Sequence, residues 1–216
     1  MKFTDRAAAG RALAGRLQHY AGRDDNVVLG LPRGGVPVAL GVARDLGAPL
    51  DVLLVRTVSA PGHEARVLGA VAEGGVTVVR QDLMIELAIP QRAVTEAIAR
   101  EQQELERRAR LYRGERPPAA VRARTAIVVD DGLAGGEALR AAAGALRRRH
   151  AKRIVVAVPV AAAADCEQFR GEVDELVCLR DCGAVRAAAE WYEDVSLPAD
   201  EELRRLLGPR AVPAPE

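Results

Sequence analysis

The sequence predicts an α/β fold, an open parallel sheet flanked by helices, and three features predict it. Short apolar runs rich in β-branched residues, Asn26 to Leu31, Leu50 to Val55, Ala126 to Val129 and Arg153 to Val160, have the composition of strands buried on both faces. Stretches rich in Ala, Leu and Arg with helical periodicity separate them, and alternating strands and helices imply a parallel sheet with right-handed crossovers. Two of the strands run out into glycine turns that feed directly into helices. At 216 residues the chain fits one domain over residues 1–208, carrying a small subdomain, with a loose Pro/Ala-rich tail over 209–216.

Taken in order, Asp5 to Tyr20 reads as an amphipathic packing helix, with Thr4 or Asp5 as its N-cap and Ala9, Leu13 and Leu17 along one face. The first strand, Asn26 to Leu31, exits through Pro32-Arg33-Gly34-Gly35-Val36-Pro37 into a helix from Val38 to Leu46. The second strand, Leu50 to Val55, is followed by Arg56 and Thr57 and a turn-rich loop at Ala60-Pro61-Gly62-His63-Glu64. Val67 to Ala72 and Val76 to Val79 read as a hairpin around Glu73-Gly74-Gly75. A short helix follows at Asp82 to Glu86, and then a long one from Pro90 to Arg113. The long helix carries Glu and Arg at four-residue offsets on a solvated face, with a dimer contact as the alternative. The hairpin, loop and long helix, roughly 61–118, form an insertion before the central strand. Beyond that strand come a helix from Glu137 to Arg149, the strand Arg153 to Val160, a helix opening at Ala161 to Asp165, a short strand Glu175 to Leu179 and an acidic helix Asp200 to Leu207.

The chemistry concentrates at the central strand. Asp130 and Asp131 stand at its carboxyl end, followed by Gly132, Gly135 and Gly136 and then a helix. Open α/β sheets bind ligands beyond the carboxyl ends of their strands. A glycine turn at a helix start offers backbone N–H groups and a positive dipole end to an anion. Paired carboxylates beside an anion site suit sugar hydroxyls or Mg²⁺, both matched by hard oxygen acceptors. The turn after the first strand repeats the arrangement, with Arg33 as a permanent forked donor for phosphate oxygens.

Residues 127–139, IVVDDGLAGGEAL, resemble the phosphoribosyl-pyrophosphate (PRPP) motif of type I phosphoribosyltransferases. VLGLPRGGVPVA, from Val28 to Ala39, resembles that family's pyrophosphate loop, and Asp51 to Gly75 with Glu190 to Val195 resemble a bacterial subgroup of it. The likeness covers roughly residues 3–207. It implies a Rossmann-like sheet with a small hood, and a homodimer by family analogy. It also implies Mg²⁺-dependent displacement of pyrophosphate from ribose C1 by an acceptor, usually a ring nitrogen. On the same ground, Arg33, Asp130 and Asp131 would be catalytic, with both aspartates as possible indirect metal ligands. Gly132, Leu133, Ala134, Gly135, Gly136, Glu137 and Ala138 would hold the 5′-phosphate, and Pro32, Arg33, Gly34, Gly35, Arg56 and Thr57 the pyrophosphate.

The motif also departs from the family. Gly135 replaces Thr, Glu137 a small residue and Ala138 a Thr or Ser, so two hydroxyl donors are missing and a carboxylate has entered an anion site. Each hydrogen bond to a charged group contributes roughly 1.5–3 kcal/mol, so PRPP affinity is expected to be lower than in a standard member. Thr57 stands where the subgroup carries Lys, with Arg56 as the candidate substitute cation; His63 stands where it carries Asn, and reads as an exposed loop residue. Ala184-Val185-Arg186 stands where the subgroup has Pro-Phe-Tyr. Trp191 reads as a packing anchor, with base stacking as the alternative.

A non-catalytic regulator of the same fold is therefore the first alternative, and a phosphatase or phosphorylase acting on a ribose phosphate the second. A nicotinamide-dinucleotide fold is disfavoured, because the turn lacks the G-x-G-x-x-G spacing.

Composition sets outer bounds. Aromatics are 3%, so the core must be aliphatic, and a net charge of +1 leaves no footprint for nucleic acid. No apolar run reaches bilayer length, and the first residues lack a signal-peptide core, so a cytoplasmic enzyme is expected. Cys166, Cys178 and Cys182 are too few and too ill-partnered for a disulfide framework or a zinc site. The basic run Arg147-Arg148-Arg149-His150 suits a helix C-terminus.

Overall fold

The computed structural model describes residues 2–183 and 187–208. The Ala184–Arg186 departure and the tail from Pro209 lie outside the described residues. A five-stranded sheet of order β2-β1-β6-β7-β8 forms the centre, built from β1 (Asn26–Gly30), β2 (Leu50–Val52), β6 (Thr125–Val129), β7 (Arg153–Ala162) and β8 (Glu175–Cys182), all pairing in parallel. The middle strands are buried along their whole length apart from Arg153 at the start of β7. That is what continuous Val/Ile/Ala runs produce when helices cover both faces.

One face is covered by α1 (Arg6–Ala14) and α2 (Gly35–Leu46), which pack Leu13, Val38 and Val42 onto Val28, Ile127 and Val155. The other is covered by α5 (Glu137–Arg148) and α6 (Ala163–Arg170), where Leu139, Leu146 and Phe169 meet Val128, Val156 and Val158. Asp5 caps α1 by accepting from the Ala8 amide at 2.6 Å, which decides between the two candidate caps. The helix then stops at Ala14, and residues 18–20 form a 3-10 turn.

Between β2 and β6 lies the insertion. β3 (Val55–Ala60), β4 (His63–Ala72) and β5 (Val76–Val79) form a separate antiparallel sheet, followed by α3 (Gln81–Glu86) and α4 (Gln91–Arg113). The expected strand Leu50 to Val55 is thus two elements. The parallel strand ends at Val52, and Val55 starts the small sheet. Pro61 and Gly62 turn the β3–β4 hairpin, so the expected loop is a two-residue turn, with Gly62 at φ +78° and His63 exposed at the start of β4. The insertion is pinned to the core by ionic bonds. Buried Arg113 reaches Glu73 at 2.6 Å and Asp51 at 3.5 Å, and Arg149 from the end of α5 meets the same Glu73 at 3.2 Å. The last helix, α7 (Asp200–Leu207), lays Leu203 and Leu207 against Leu54, Leu105 and Tyr112. No helix among the described residues is long and apolar enough to cross a membrane.

Candidate functional site

β1 and β6 are hydrogen-bonded neighbours in register, Gly30 beside Val129, so their exit turns open at the same edge of the sheet. The two turns touch. A methyl group on Gly34 would lie 2.1 Å from Oδ2 of Asp131, and one on Gly35 would lie 2.6 Å from the Val129 carbonyl oxygen and 2.9 Å from Cα of Asp130. Only glycine allows the β1 turn to lie against the acidic pair. The Leu31 amide donates to the same Val129 carbonyl at 2.9 Å and holds the turns together. α2 begins at Gly35 behind Gly34, which caps it without a side-chain bond, so its first amides have no side-chain acceptor. Arg33 is exposed at the tip, and Pro32 precedes it half-buried.

Asp130 and Asp131 are both half-buried. Asp130 accepts from the Asp131 amide through Oδ1 at 2.9 Å, and burial, then the neighbouring Asp131 carboxylate, push its carboxyl well above the usual range. Asp131 is held from outside the predicted set. Arg6 of α1 donates to its Oδ2 from Nε at 2.9 Å and is 2.8 Å from it through Nη2. Tyr192 donates its hydroxyl to the Asp131 carbonyl at 2.7 Å, and the Arg6 guanidinium lies 4.7 Å from the centre of the Tyr192 ring. Arg6 Nη1 also donates to the Ser196 carbonyl at 2.8 Å. The late Trp-Tyr-Glu-Asp stretch therefore acts as a support under the acidic pair. Trp191 itself is half-buried beside the cluster of Phe3, Cys182 and Tyr192, the packing role expected of it.

The turn after β6 is shaped by its glycines. Gly132 packs beneath Ala188, where a methyl group would lie 2.8 Å from that residue's Cβ. Leu133 anchors the turn by donating its amide to Val160 at 2.9 Å, while Ala134 and Gly135 are exposed at the tip. Gly135 and Gly136 stand at φ +76° and +84°, the left-handed region that glycine enters without strain. Gly136 caps α5 without a side-chain bond, and Ala138 is half-buried in its first turn. Two carboxylates already serve this turn. Asp165 of α6 accepts from the Gly135 amide at 3.3 Å, and buried Glu137 turns its carboxylate back so that a methyl group on Gly135 would lie 2.7 Å from its Oε2.

The predicted pyrophosphate residues lie on two elements, the β1 exit turn and β3. Arg33, Gly34 and Gly35 sit at the turn as expected. Arg56 lies within β3, and its guanidinium is held by Glu101 of α4 at 2.7 Å, so it is not a free replacement for a lysine. Thr57 is exposed on the same strand. Among the described residues no group of three or more His, Cys, Asp or Glu is placed to hold a metal ion.

Arg6, Tyr192 and Asp165 are the residues that sequence reasoning missed. Arg6 did carry a signal: with Ala9, Gly10 and Leu13 it falls on the buried stripe of α1, a charge where an apolar residue is usual.

With this geometry in hand, three comparisons agree. The family described as phosphoribosyl transferase domain matches residues 4–186. A Mycobacterium tuberculosis protein named "Putative phosphoribosyl transferase Rv0571c" is 40% identical over 206 residues, covering 95% of this chain. The chain spans 46%, about half, of that relative's length. The crystal structure of TT1426 from Thermus thermophilus superposes with a TM-score of 0.79 at 40% identity, covering 96% of this chain and 98% of that one. AQ2163 from Aquifex aeolicus, at 11% identity and a TM-score of 0.51, covering 81% and 73%, shares the fold alone. By the extent of the family match and the identity to these relatives, the chain belongs to the phosphoribosyl transferase domain family.

Proposed function

We propose that the chain binds PRPP or a related ribose 5-phosphate compound together with Mg²⁺ and transfers the phosphoribosyl group to a small nitrogenous acceptor. The observation that carries this reading is the contact between Gly34 and Asp131, which brings the two glycine turns together at the β1–β6 edge. There the amides at the start of α2 and the Arg33 guanidinium would take the pyrophosphate, and Asp130 and Asp131 would accept from the ribose hydroxyls. The bond from C1 to the pyrophosphate oxygen breaks as the acceptor nitrogen closes on C1. The positive charge developing on the sugar is stabilised by the Asp131 carboxylate, which Arg6 holds through Oδ2. Arg6 and Tyr192 are positioning residues that fix the aspartate.

The donor set fits Mg²⁺ only as a ligand-borne ion. Asp130 and Asp131 would hold the ion, with phosphate oxygens and water as its other ligands. Bound there, the ion would neutralise charge on the departing pyrophosphate.

Isothermal titration with PRPP and Mg²⁺, followed by pyrophosphate release with a panel of bases, tests the reading. Binding with release is the expected result. Binding without release favours a regulator that keeps the fold, a reading supported by Glu137 and Asp165 at the phosphate turn.

A further inference from the structure

We propose that Glu137 is an internal anion that competes with the 5′-phosphate for the turn at 132–138 and so determines how strongly the site favours a phosphorylated pentose. This rests on the reading of that turn as the 5′-phosphate cradle. Glu137 occupies the first position of α5 and is only 8% exposed, yet no hydrogen bond holds its carboxylate among the described residues. The carboxylate lies over Gly135, with Oε2 2.7 Å from where a Cβ on that residue would be. It therefore sits over the glycine tip of the turn at the start of α5, a helix whose N-cap makes no side-chain hydrogen bond. The peptide groups of Gly135 are engaged as well: its amide donates to Asp165 at 3.3 Å, and its carbonyl accepts from Arg140 Nη1 at 2.8 Å.

A phosphate entering this turn meets a carboxylate in its place, and the two anions cannot share the cradle. A cation stands within reach to receive the displaced group. Arg80 Nη1 is 3.9 Å from Glu137 Oε1, and Arg80 is free to move, because its side chain is 42% exposed and hydrogen-bonded, among the described residues, only to Asp82 at 2.8 Å on the surface. A pentose without a 5′-phosphate leaves Glu137 where it is, and its 5′-hydroxyl finds an acceptor there. Glu137 is thus a specificity-determining residue for the 5′ end, and Arg80, which already pairs with it at 3.9 Å, is the counter-ion that keeps the carboxylate once phosphate displaces it.

The test is isothermal titration of the full chain in Mg²⁺ with three probes, PRPP, ribose 5-phosphate and inorganic pyrophosphate, using wild type, Glu137→Ala, Glu137→Gln and Arg80→Ala. Thermal melts accompany each variant. Glu137→Ala is expected to tighten ribose 5-phosphate and PRPP at least tenfold and Glu137→Gln about threefold, while pyrophosphate, held at the Arg33 turn, is unchanged. Arg80→Ala is expected to weaken ribose 5-phosphate in the wild-type background and to have no effect alongside Glu137→Ala. If folded Glu137 variants bind ribose 5-phosphate no better while wild type still binds PRPP, the competition is overturned and the proposed function stands. If no protein binds any of the three probes, both fall together. An equal gain for pyrophosphate would also overturn the assignment to the 5′ end.

Discussion

Arg6 and Asp131, 125 residues apart in sequence, are joined through a single carboxylate oxygen, Oδ2, which takes Nε at 2.9 Å and Nη2 at 2.8 Å. The pairing does two jobs. It fixes the aspartate rotamer above β6, and the remaining oxygen, Oδ1, is not used by Arg6. Both side chains are largely shielded, so removing one partner strands a poorly solvated charge, at a cost of about 3 kcal/mol. Asp131→Asn is therefore expected to lower PRPP–Mg²⁺ affinity or turnover at least tenfold and to lower stability. Arg6→Met combined with Asp131→Asn should destabilise by clearly less than the sum of the single changes. Denaturant melts of the four proteins check this, and strict additivity would show that the pair does not act as a unit.

Gly35 tests whether the fused turns matter. A Cβ there meets backbone, the Val129 carbonyl at 2.6 Å and Asp130 Cα at 2.9 Å, neither of which can swing aside. Gly35→Ala is expected to cost about 1–3 kcal/mol by forcing the strands' exits apart, and to weaken pyrophosphate binding at least tenfold. At Gly34 the clash is with the Asp131 carboxylate at 2.1 Å. Gly34→Ala should therefore break the Arg6–Asp131 pair rather than the backbone, with a smaller loss of stability and a similar loss of binding. Melting and titration curves for the two variants separate these outcomes.

Restoring the family's hydroxyls looks beneficial from sequence, since Gly135→Thr with Ala138→Thr returns two donors to a phosphate site. The structure reverses that expectation at residue 135. Its φ of +76° costs a branched residue about 1–2 kcal/mol, and the new Cβ would press on Glu137 Oε2. The double variant is expected to be less stable than wild type and to bind PRPP no better, whereas the same pair alongside Glu137→Ala should gain affinity. Parallel titrations of the two backgrounds check it, and an equal gain in both would mean that Glu137 does not block the turn.

What was legible in the sequence, and what was not, follows from the range of the forces involved. The parallel core was legible because burial on both faces leaves an unbroken run of Val and Ile, as at Val27 and Val28 and from Ile127 to Val129. The two glycine turns were legible because their conformations and close approaches exclude other residues, as Gly35 and Gly136 show. The second strand was misread because Leu53 and Leu54 are as apolar as a strand, while the break after Val52 is set by where the small sheet pairs. The pairing of Arg56 was hidden for a related reason: Glu101 lies 45 residues away in sequence, and only tertiary structure brings it alongside. Arg6, Tyr192 and Asp165 escaped notice because each acts on the site from a remote element; the buried stripe of α1 marks Arg6 as unusual, but local pattern does not name its partner.

The last prediction concerns alkaline stability. The chain has three tyrosines, and in all three the hydroxyl's titration is displaced upward from its ordinary value near 10. Burial is the leading cause in each case. Tyr112, 1% exposed and donating to Asp200 at 2.6 Å, is pushed up to about 12. Tyr192 is raised further by the Asp131 carboxylate, and Tyr20 by Glu175, to which it donates at 2.6 Å. A phenol with a raised folded-state pKa holds its proton in the native state while the unfolded chain releases it. In the window from 10 to about 12, then, the folded state binds more protons, and stability falls as pH rises. Below that window the stability is fully present; across it, Tyr112 alone accounts for a loss of about 2–3 kcal/mol. Spectrophotometric titration should therefore show less phenolate near pH 10 than free tyrosine gives, then a steep rise that coincides with loss of the circular dichroism signal. Tyr112→Phe should flatten the upper part of that pH dependence while lowering stability at neutral pH through the bare Asp200 carboxylate. A gradual titration centred on the ordinary value, with the fold intact, would mean that these hydroxyls are open to water and that the support Tyr192 gives to Asp131 is not in place.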